Sequence, residues 1–275
     1  MSKSIRSTAL AVLVCATVAM LVPVVTVAAV PFKVPADANI PKGPEGDAIR
    51  QGKSLIVDTH KLLPGNVGNG LNCTNCHIGA GTTPYAAPFV GLWGVFPEYR
   101  ARNGSIDSLQ ERVNDCFERS MNGKALAYDS TEMNAILMYM KWLSNGVPVG
   151  TAVTGRGMGK VDSKLKPNLA RGEKIYVAKC ASCHGAEGEG NKNTVGGYFF
   201  PPVWGNASFN IGAGMARTYT AAGFIKRNMP LGQGGSLSDQ DAIDVAEFMT
   251  HQERPTYEPA KNDYAKGNKP KDARN

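Results

Sequence analysis

Two five-residue stretches, CTNCH at 73–77 and CASCH at 180–184, constrain the fold more than any other feature of the chain. Both have the C-x-x-C-H pattern, in which two thiols bond covalently to haem vinyl groups and the adjacent histidine is placed to ligate the iron. One match would also suit a redox or zinc-binding C-x-x-C, but two matches in a chain with only four histidines favour haem. The sequence therefore predicts two covalently bound haem c groups, attached through Cys73, Cys76 and His77 and through Cys180, Cys183 and His184.

The surroundings of the two motifs repeat as well, which is typical of tandem domains. RQGKSLIV at 50–57 resembles ARGEKIYV at 170–177, and the match aligns Gly52 with Gly172. Each glycine falls in a predicted short amphipathic helix, where glycine is unfavourable unless another element packs closely against it. We therefore expect a close helix contact at both glycines.

A second predicted helix ends each half, at 131–143 and at 238–249, with apolar residues at helical spacing and polar cap signals at Asp129 and Ser238. Helix, C-x-x-C-H motif, loop, distal ligand and closing helix is the order of a small class I cytochrome c domain. The predicted fold is mainly α, with two tandem class I cytochrome c domains that each have one covalently attached haem.

The first residues have the pattern of a secretory signal peptide. Lys3 and Arg6 precede a stretch over 7–32 without charged side chains. The apolar run within it, 9–30, ends in small residues, which predicts cleavage after about residue 29. An uncleaved membrane anchor is the alternative, because about 20 apolar residues can span a bilayer. Export to the periplasm, with no membrane span after cleavage, is the prediction. The predicted limits are signal peptide 1–29, N-terminal catalytic domain 30–145, linker 146–167, C-terminal electron-transfer domain 168–255 and polar tail 256–275.

The net charge of +7 is only mildly basic for 275 residues. No clustered cationic stripe of the kind that binds nucleic acid is present in the sequence, so no nucleic-acid partner is expected. A modest positive field instead favours small anions as ligands.

The sixth iron ligand largely determines what each haem does. In the second half the candidate is Met229, in the loop KRNMPLGQGG just before the closing helix, with Met215 and Lys226 as the nearest substitutes. A methionine thioether is a neutral ligand that raises the reduction potential. Met229 therefore predicts an electron-transfer haem.

The first half has two candidates for the same position, Cys116 and Met121. The stretch 106–123 is predicted as a helix with Cys116 on an apolar face. Spacing alone does not favour either sulfur over the other as the distal ligand. His60 precedes its motif, so we expect it to be structural or on the surface, like His251.

Three segments of the first half resemble the dihaem thiosulfate dehydrogenases: NVGNGLNCTNCH at 66–77, FPEYRARNGSI at 96–106 and NDCFERSMNG at 114–123. Members of that family are periplasmic enzymes that couple two thiosulfates to tetrathionate, and some run the reverse reduction. The resemblance implies thiosulfate or tetrathionate as the substrate and a small cytochrome c or similar protein as external electron acceptor or donor.

The resemblance also implies roles for particular residues. Cys116 matches the distal thiolate ligand of the catalytic haem, and Arg102, Arg112 and Ser120 match the residues that bind the substrate anion. Some members have a lysine before the distal methionine and exchange the two ligands with redox state. This chain has Asn228 there, so Met229 is expected to remain the ligand in both states.

Two other functions stay open from the sequence. A two-haem electron carrier without its own substrate would need Met121 as the first distal ligand. A subunit of a sulfur-oxidising multienzyme complex would use a cysteine ligand but would depend on partner proteins.

Overall fold

The computed structural model describes residues 29–194 and 196–274. The predicted signal peptide therefore lies outside the described residues except for its last position. Two short antiparallel hairpins pair β1 (Glu98–Arg100) with β2 (Ser105–Asp107) and β3 (Asn191–Lys192) with β4 (Tyr198–Phe200). The described helices are α1 (Pro44–Val57), α2 (Thr59–Leu62), α3 (Ile78–Gly81), α4 (Leu109–Asp115), α5 (Thr131–Leu143), α6 (Leu169–Lys179), α7 (Ala181–His184), α8 (Thr218–Asn228) and α9 (Asp239–His251).

The same helix crossing organises each half of the chain. α1 packs across α5 in the first half, and α6 packs across α9 in the second. A methyl group at Gly52 would overlap the carbonyl of Ala135, and one at Gly172 would overlap the carbonyl of Asp244. The close contact that the two glycines predicted is therefore confirmed, because only a hydrogen atom fits between the crossing backbones.

Hydrogen bonds at the N-termini of the closing helices correct one expectation. Ser238 caps α9 with a reciprocal capping box that includes Asp241, as predicted. α5 is capped by Ser130, whose hydroxyl accepts a hydrogen bond from the backbone N–H of Met133, and not by Asp129. The expected cap was thus one residue too early, because the helix begins at Thr131 and the preceding residue has the extended backbone of an N-cap.

The structure has two hydrophobic cores, one built mainly from the first half and one mainly from the second, and Ala86 of the first half belongs to the second core. Segment 146–167, predicted as a linker, packs on both: Val153 is buried in the first core, and Met158 packs against the second. Buried members of the first core include Tyr139, Phe117, Ile49, Met133 and Ile136, and those of the second include Tyr176, Trp204, Phe209, Phe224 and Ile243. The domain limits themselves stay a prediction.

The polar tail wraps back over the first half. The backbone N–H of Tyr264 donates to the Arg102 carbonyl at 2.8 Å, and Lys266 Nζ donates to the Gly104 carbonyl at 2.6 Å. Further on, Asp272 accepts from the Tyr219 N–H in the second half at 2.9 Å. Among the helices in the described ranges, none is long and apolar enough to cross a membrane.

Substitution of Gly52 or Gly172 by alanine is predicted to lower the free energy of unfolding by about 1–3 kcal/mol, because the added methyl group forces the two helices apart. Denaturant unfolding of the holoprotein measures this. Gly65→Ala is the matched control, since nothing lies within 4 Å of the added atom there, and it should stay within ~0.5 kcal/mol of the parent. Equal stability of Gly52→Ala and Gly65→Ala would contradict the prediction.

Candidate active site

The first C-x-x-C-H motif lies on one wall of an apolar cleft in the N-terminal half. Cys73, Cys76 and His77 all line it. His77 Nδ1 donates to the Ala87 carbonyl at 2.6 Å, and a carbonyl oxygen can only accept, so the proton is on Nδ1. The other ring nitrogen is left as the basic ligand atom, and the second hydrogen bond fixes the ring orientation as in other metal-ligating histidines.

The second motif is arranged in the same way in the C-terminal half. Cys180, Cys183 and His184 line a second apolar cleft, and His184 Nδ1 donates to the Pro201 carbonyl at 2.8 Å. Burial lowers the pKa of His184, which keeps the ring neutral, as iron ligation requires. In each cleft two thiols, one oriented imidazole and an apolar lining come together. This donor set fits a covalently attached haem c.

The wall that faces His77 contains Cys116. α4 ends at Asp115, and residues Cys116–Ser120 form a wider π-helical turn, in which the Met121 N–H donates to the Cys116 carbonyl at 2.9 Å. The helix predicted over 106–123 is therefore shorter than expected, since Ile106 lies in β2. The π turn still directs Cys116 and Ser120 into the cleft, and single π turns are frequent at functional sites.

Arg112 forms the strongest polar contact of Cys116. Its Nη1 donates to Cys116 Sγ at 3.1 Å. Burial alone raises the pKa of Cys116, but the positive charge of Arg112, with a smaller effect of the neighbouring His77 ring, outweighs burial and lowers the pKa to about 6. Burial raises the pKa of Cys73 and Cys76 to about 12 instead. Cys73 and Cys76 are the attachment cysteines, so of these three sulfurs only that of Cys116 is available as a thiolate, and its lowered pKa favours that form.

The predicted substrate-anion residues divide into two groups. Arg112 and Ser120 line the cleft, as the resemblance implied, whereas Arg102 does not. Arg102 Nη2 pairs with Asp115 at 2.6 Å, and Nη1 donates to the Gly212 carbonyl at 3.3 Å. Its guanidinium is therefore directed at the residue before Cys116 rather than at the cleft.

Sequence reasoning missed two arginines that line the first cleft, Arg100 and Arg156. Both guanidiniums face the same carboxylate of Glu98, at 2.9 Å from Arg100 and 3.8 Å from Arg156. Arg156 belongs to the predicted linker, where nothing in the sequence separates it from an ordinary surface charge. The Ala87 N–H donates to the Gly157 carbonyl at 2.9 Å, and this bond draws the linker to the loop that orients His77.

Distal candidates in both clefts are placed as follows. Met121 lines the first cleft beside Cys116, and Met229 and Met215 line the second. Lys226 is engaged elsewhere, because its ammonium donates to the Leu237 carbonyl at 2.9 Å and pairs with Asp239 at 3.0 Å. Neither His60 nor His251 is among the described residues that line the two clefts.

The two clefts lie side by side. Leu71 and Cys76 line both of them, so the second attachment cysteine of the first motif also borders the second haem site. Electrons therefore have a short path between the sites.

Comparison with known proteins identifies both halves. Residues 66–149 match the family model described as SoxA/TsdA, cytochrome c domain, and residues 167–249 match the model of cytochrome c oxidase, cbb3-type, subunit III. The thiosulfate dehydrogenase of Psychrobacter arcticus is 51% identical over 88% of this chain and 74% of its own length. The chain belongs to the thiosulfate dehydrogenase family.

Two further thiosulfate dehydrogenases agree with this assignment. That of Allochromatium vinosum is 49% identical over 83% of this chain and 86% of its own length. The solved thiosulfate dehydrogenase (TsdBA) of Marichromatium purpuratum, in its as-isolated form, superposes with a TM-score of 0.77 at 38% identity. That alignment covers 82% of this chain and 50% of the solved one, so the chain spans about half the length of that relative.

Membership of the thiosulfate dehydrogenase family confirms three predictions. The chain is an oxidoreductase, it is built from two mainly helical cytochrome c domains, and it has two covalently bound haem c groups. The resemblance drawn from the segments around Cys116 is confirmed with them.

Arg156→Gln is predicted to lower the reduction potential of the first haem by an amount on the order of tens of millivolts. A nearby cation favours the reduced haem, and the shift is modest because solvent screens a side chain that is 39% exposed. Redox titration followed by absorbance measures both haems, and the second should not change. Arg50→Gln is the matched control, because Arg50 lies on the exposed face of α1 and pairs with Asp47. Equal shifts in both variants would contradict the prediction.

Proposed function

We propose that this chain oxidises thiosulfate to tetrathionate at its first haem site and passes the electrons through its second haem to an external acceptor. The observation that carries the proposal is the cleft in which Cys116, bonded by Arg112, faces His77. Two thiosulfate dianions give one tetrathionate dianion and two electrons. The same site serves tetrathionate reduction when a donor of low potential supplies the electrons.

The bound haem supplies a one-electron acceptor whose potential depends on its axial ligands and surroundings. We assign His77 and Cys116 as the ligands of the first haem, and His184 and Met229 as those of the second. Cys116 is favoured over Met121 because a guanidinium stabilises its sulfur as an anion, whereas Met121 belongs to the hydrophobic core. A thiolate lowers the potential of the first haem relative to one with a thioether ligand.

Positively charged side chains in the cleft reduce the electrostatic repulsion between two thiosulfate dianions. Arg112 presents a planar fork of donors that suits oxyanions, and the Ser120 hydroxyl lies one turn after Cys116 on the same wall. Arg102 acts indirectly, because its ion pair is with Asp115 and not with the substrate. Arg100 and Arg156 add positive charge to the cleft lining and attract anions from solution.

Cys116 provides the sulfur on which the bond between the substrates is built. Its thiolate would form an S–S bond to the sulfane sulfur of one thiosulfate, an oxidation that releases two electrons, and the two haem c groups, when bound, would be the one-electron acceptors. The sulfane sulfur of a second thiosulfate then attacks the bound one, forming the central S–S bond of tetrathionate and releasing the Cys116 thiolate. No proton is gained or lost, so the electrons are the sole further product.

Met229, which lines the second cleft, would remain the ligand of the second haem in both redox states. The residue that precedes it, Asn228, is buried, and its amide donates to the carbonyls of Tyr85 at 3.1 Å and Phe224 at 2.9 Å. An amide bound twice to backbone in this way does not compete for iron. A periplasmic small cytochrome c is the proposed electron partner of this haem.

Cys116→Gly is predicted to abolish turnover of thiosulfate with ferricyanide as acceptor, because the sulfur that accepts the first sulfane atom is gone. Both haems should stay attached, since the four attachment cysteines are unchanged. A steady-state assay measures the turnover, and the absorbance of the denatured, reduced protein counts the haems.

Met121→Leu is the matched control for Cys116→Gly. It removes the other candidate sulfur with nearly unchanged volume, and it should retain both turnover and the spectrum of a thiolate-bound haem. If Cys116→Gly keeps activity, Cys116 is not the reacting sulfur and the proposed reaction is wrong. If the parent does not turn over thiosulfate and Met121→Leu, rather than Cys116→Gly, alters the spectrum, the chain is an electron carrier instead. If the parent turns over thiosulfate only with partner subunits present, the chain is instead a subunit of a sulfur-oxidising multienzyme complex.

A further inference from the structure

A buried ion pair joins the tail to the turn that contains Cys116. Arg119 lies within the π turn, and both of its terminal nitrogens donate to Asp263 of the tail, at 2.7 and 2.8 Å. The side chains of Arg119 and Asp263 are only 8% and 6% exposed. Bidentate geometry and burial make this the kind of pair whose disruption is costly, because one buried charge is left without its partner.

The pair extends into a cluster of four charges. Arg119 Nε also pairs with Asp115 at 3.3 Å, and Asp115 pairs with Arg102 at 2.6 Å. The two guanidiniums both donate to the Gly212 carbonyl of the second half at 3.3 Å. Two cations thus balance two carboxylates. One of these carboxylates belongs to Asp115, the residue directly before Cys116.

Backbone contacts fix the same turn from its other side. Asn210 of the second half donates through Nδ2 to the Glu118 carbonyl at 2.9 Å and through its N–H to the Arg119 carbonyl at 3.1 Å. Asn69 Nδ2 donates to the Ser120 carbonyl at 2.9 Å. The carbonyl groups of three consecutive residues of this π turn are therefore all bound by donors from outside the turn.

We propose that Asp263 and Arg119 are positioning residues for the Cys116 thiolate. The inference rests on the proposed function, in which Cys116 is the distal ligand and the reactive sulfur. Without the Asp263 charge, Arg119 would compete with Arg102 for Asp115, and the turn that begins at Cys116 would shift. The tail, predicted from the sequence only as a polar segment, then contributes a residue that supports the first haem site.

Asp263→Asn in the full dihaem protein tests the proposal. Electron paramagnetic resonance of the oxidised protein should lose at least half of the low-spin signal of the thiolate-bound first haem, while the second haem signal stays unchanged. Thiosulfate turnover should fall ~10–100-fold, the loss expected for a reacting group displaced by a fraction of an ångström to one ångström. Asp263→Glu, which restores the charge, should recover much of the first haem signal.

Lys266→Gln is the matched control, because it removes another contact of the same tail, to the Gly104 carbonyl, without touching the charge cluster. It should leave the first haem signal intact. If Asp263→Asn does not fold, Arg119→Lys provides the test, since it keeps the charge and loses the bidentate geometry.

An Asp263→Asn protein that melts at a lower temperature but keeps an unchanged first haem signal overturns the proposal, because a merely structural pair would behave so. The resonance measurement needs no thiosulfate. Its outcome is therefore separate from that of Cys116→Gly: the positioning role stands if the signal changes, even where the proposed reaction fails.

Discussion

A sulfur anion inside an apolar cleft requires a cation at bonding distance, and the contact between Arg112 and Cys116 meets that requirement. Both residues come from one short helical segment, so the pair forms locally and needs no distant partner. What the rest of the fold supplies is orientation. Two hydrophobic cores, the oriented histidine on the facing wall and the contacts on the π turn all hold this pair in the first cleft.

The two halves show how one architecture gives two different redox sites. Each has a glycine at its main helix crossing, a C-x-x-C-H motif and a histidine fixed by a backbone carbonyl. They differ on the distal side, where the proposed ligands are a charged thiolate in the first half and a neutral thioether in the second. Because a thiolate lowers the potential and a thioether raises it, this difference favours electron flow from the first site to the second, across the wall that contains Cys76.

Local patterns let the sequence predict much of this molecule. Motif spacing located both haem sites, and glycines in otherwise helical stretches located the helix crossings, since their cost implies close packing. Contacts between residues far apart in the chain were beyond reach. Arg156 looked like an ordinary linker charge, and the pairing of Arg119 with Asp263 joins positions 144 residues apart. The sequence also did not predict the π turn. Apolar residues at 3.6-residue spacing indicate a helix, but they do not show where one extra residue widens a turn. The substrate-binding role expected of Arg102 stays a prediction, and the sequence did not show that its guanidinium pairs with Asp115.

The packing of segment 146–167 limits how the enzyme can open. Val153 is buried in the first core and its strand-like contact with Val30 adds a further attachment, while Met158 and Val161 pack against the second core. A segment anchored on both sides cannot act as a hinge for rigid-body motion of one half against the other. Arg100 and Arg156, which line the first cleft and share the Glu98 carboxylate, can instead rearrange as side chains, so the charge lining this cleft can change while the two cores stay in place.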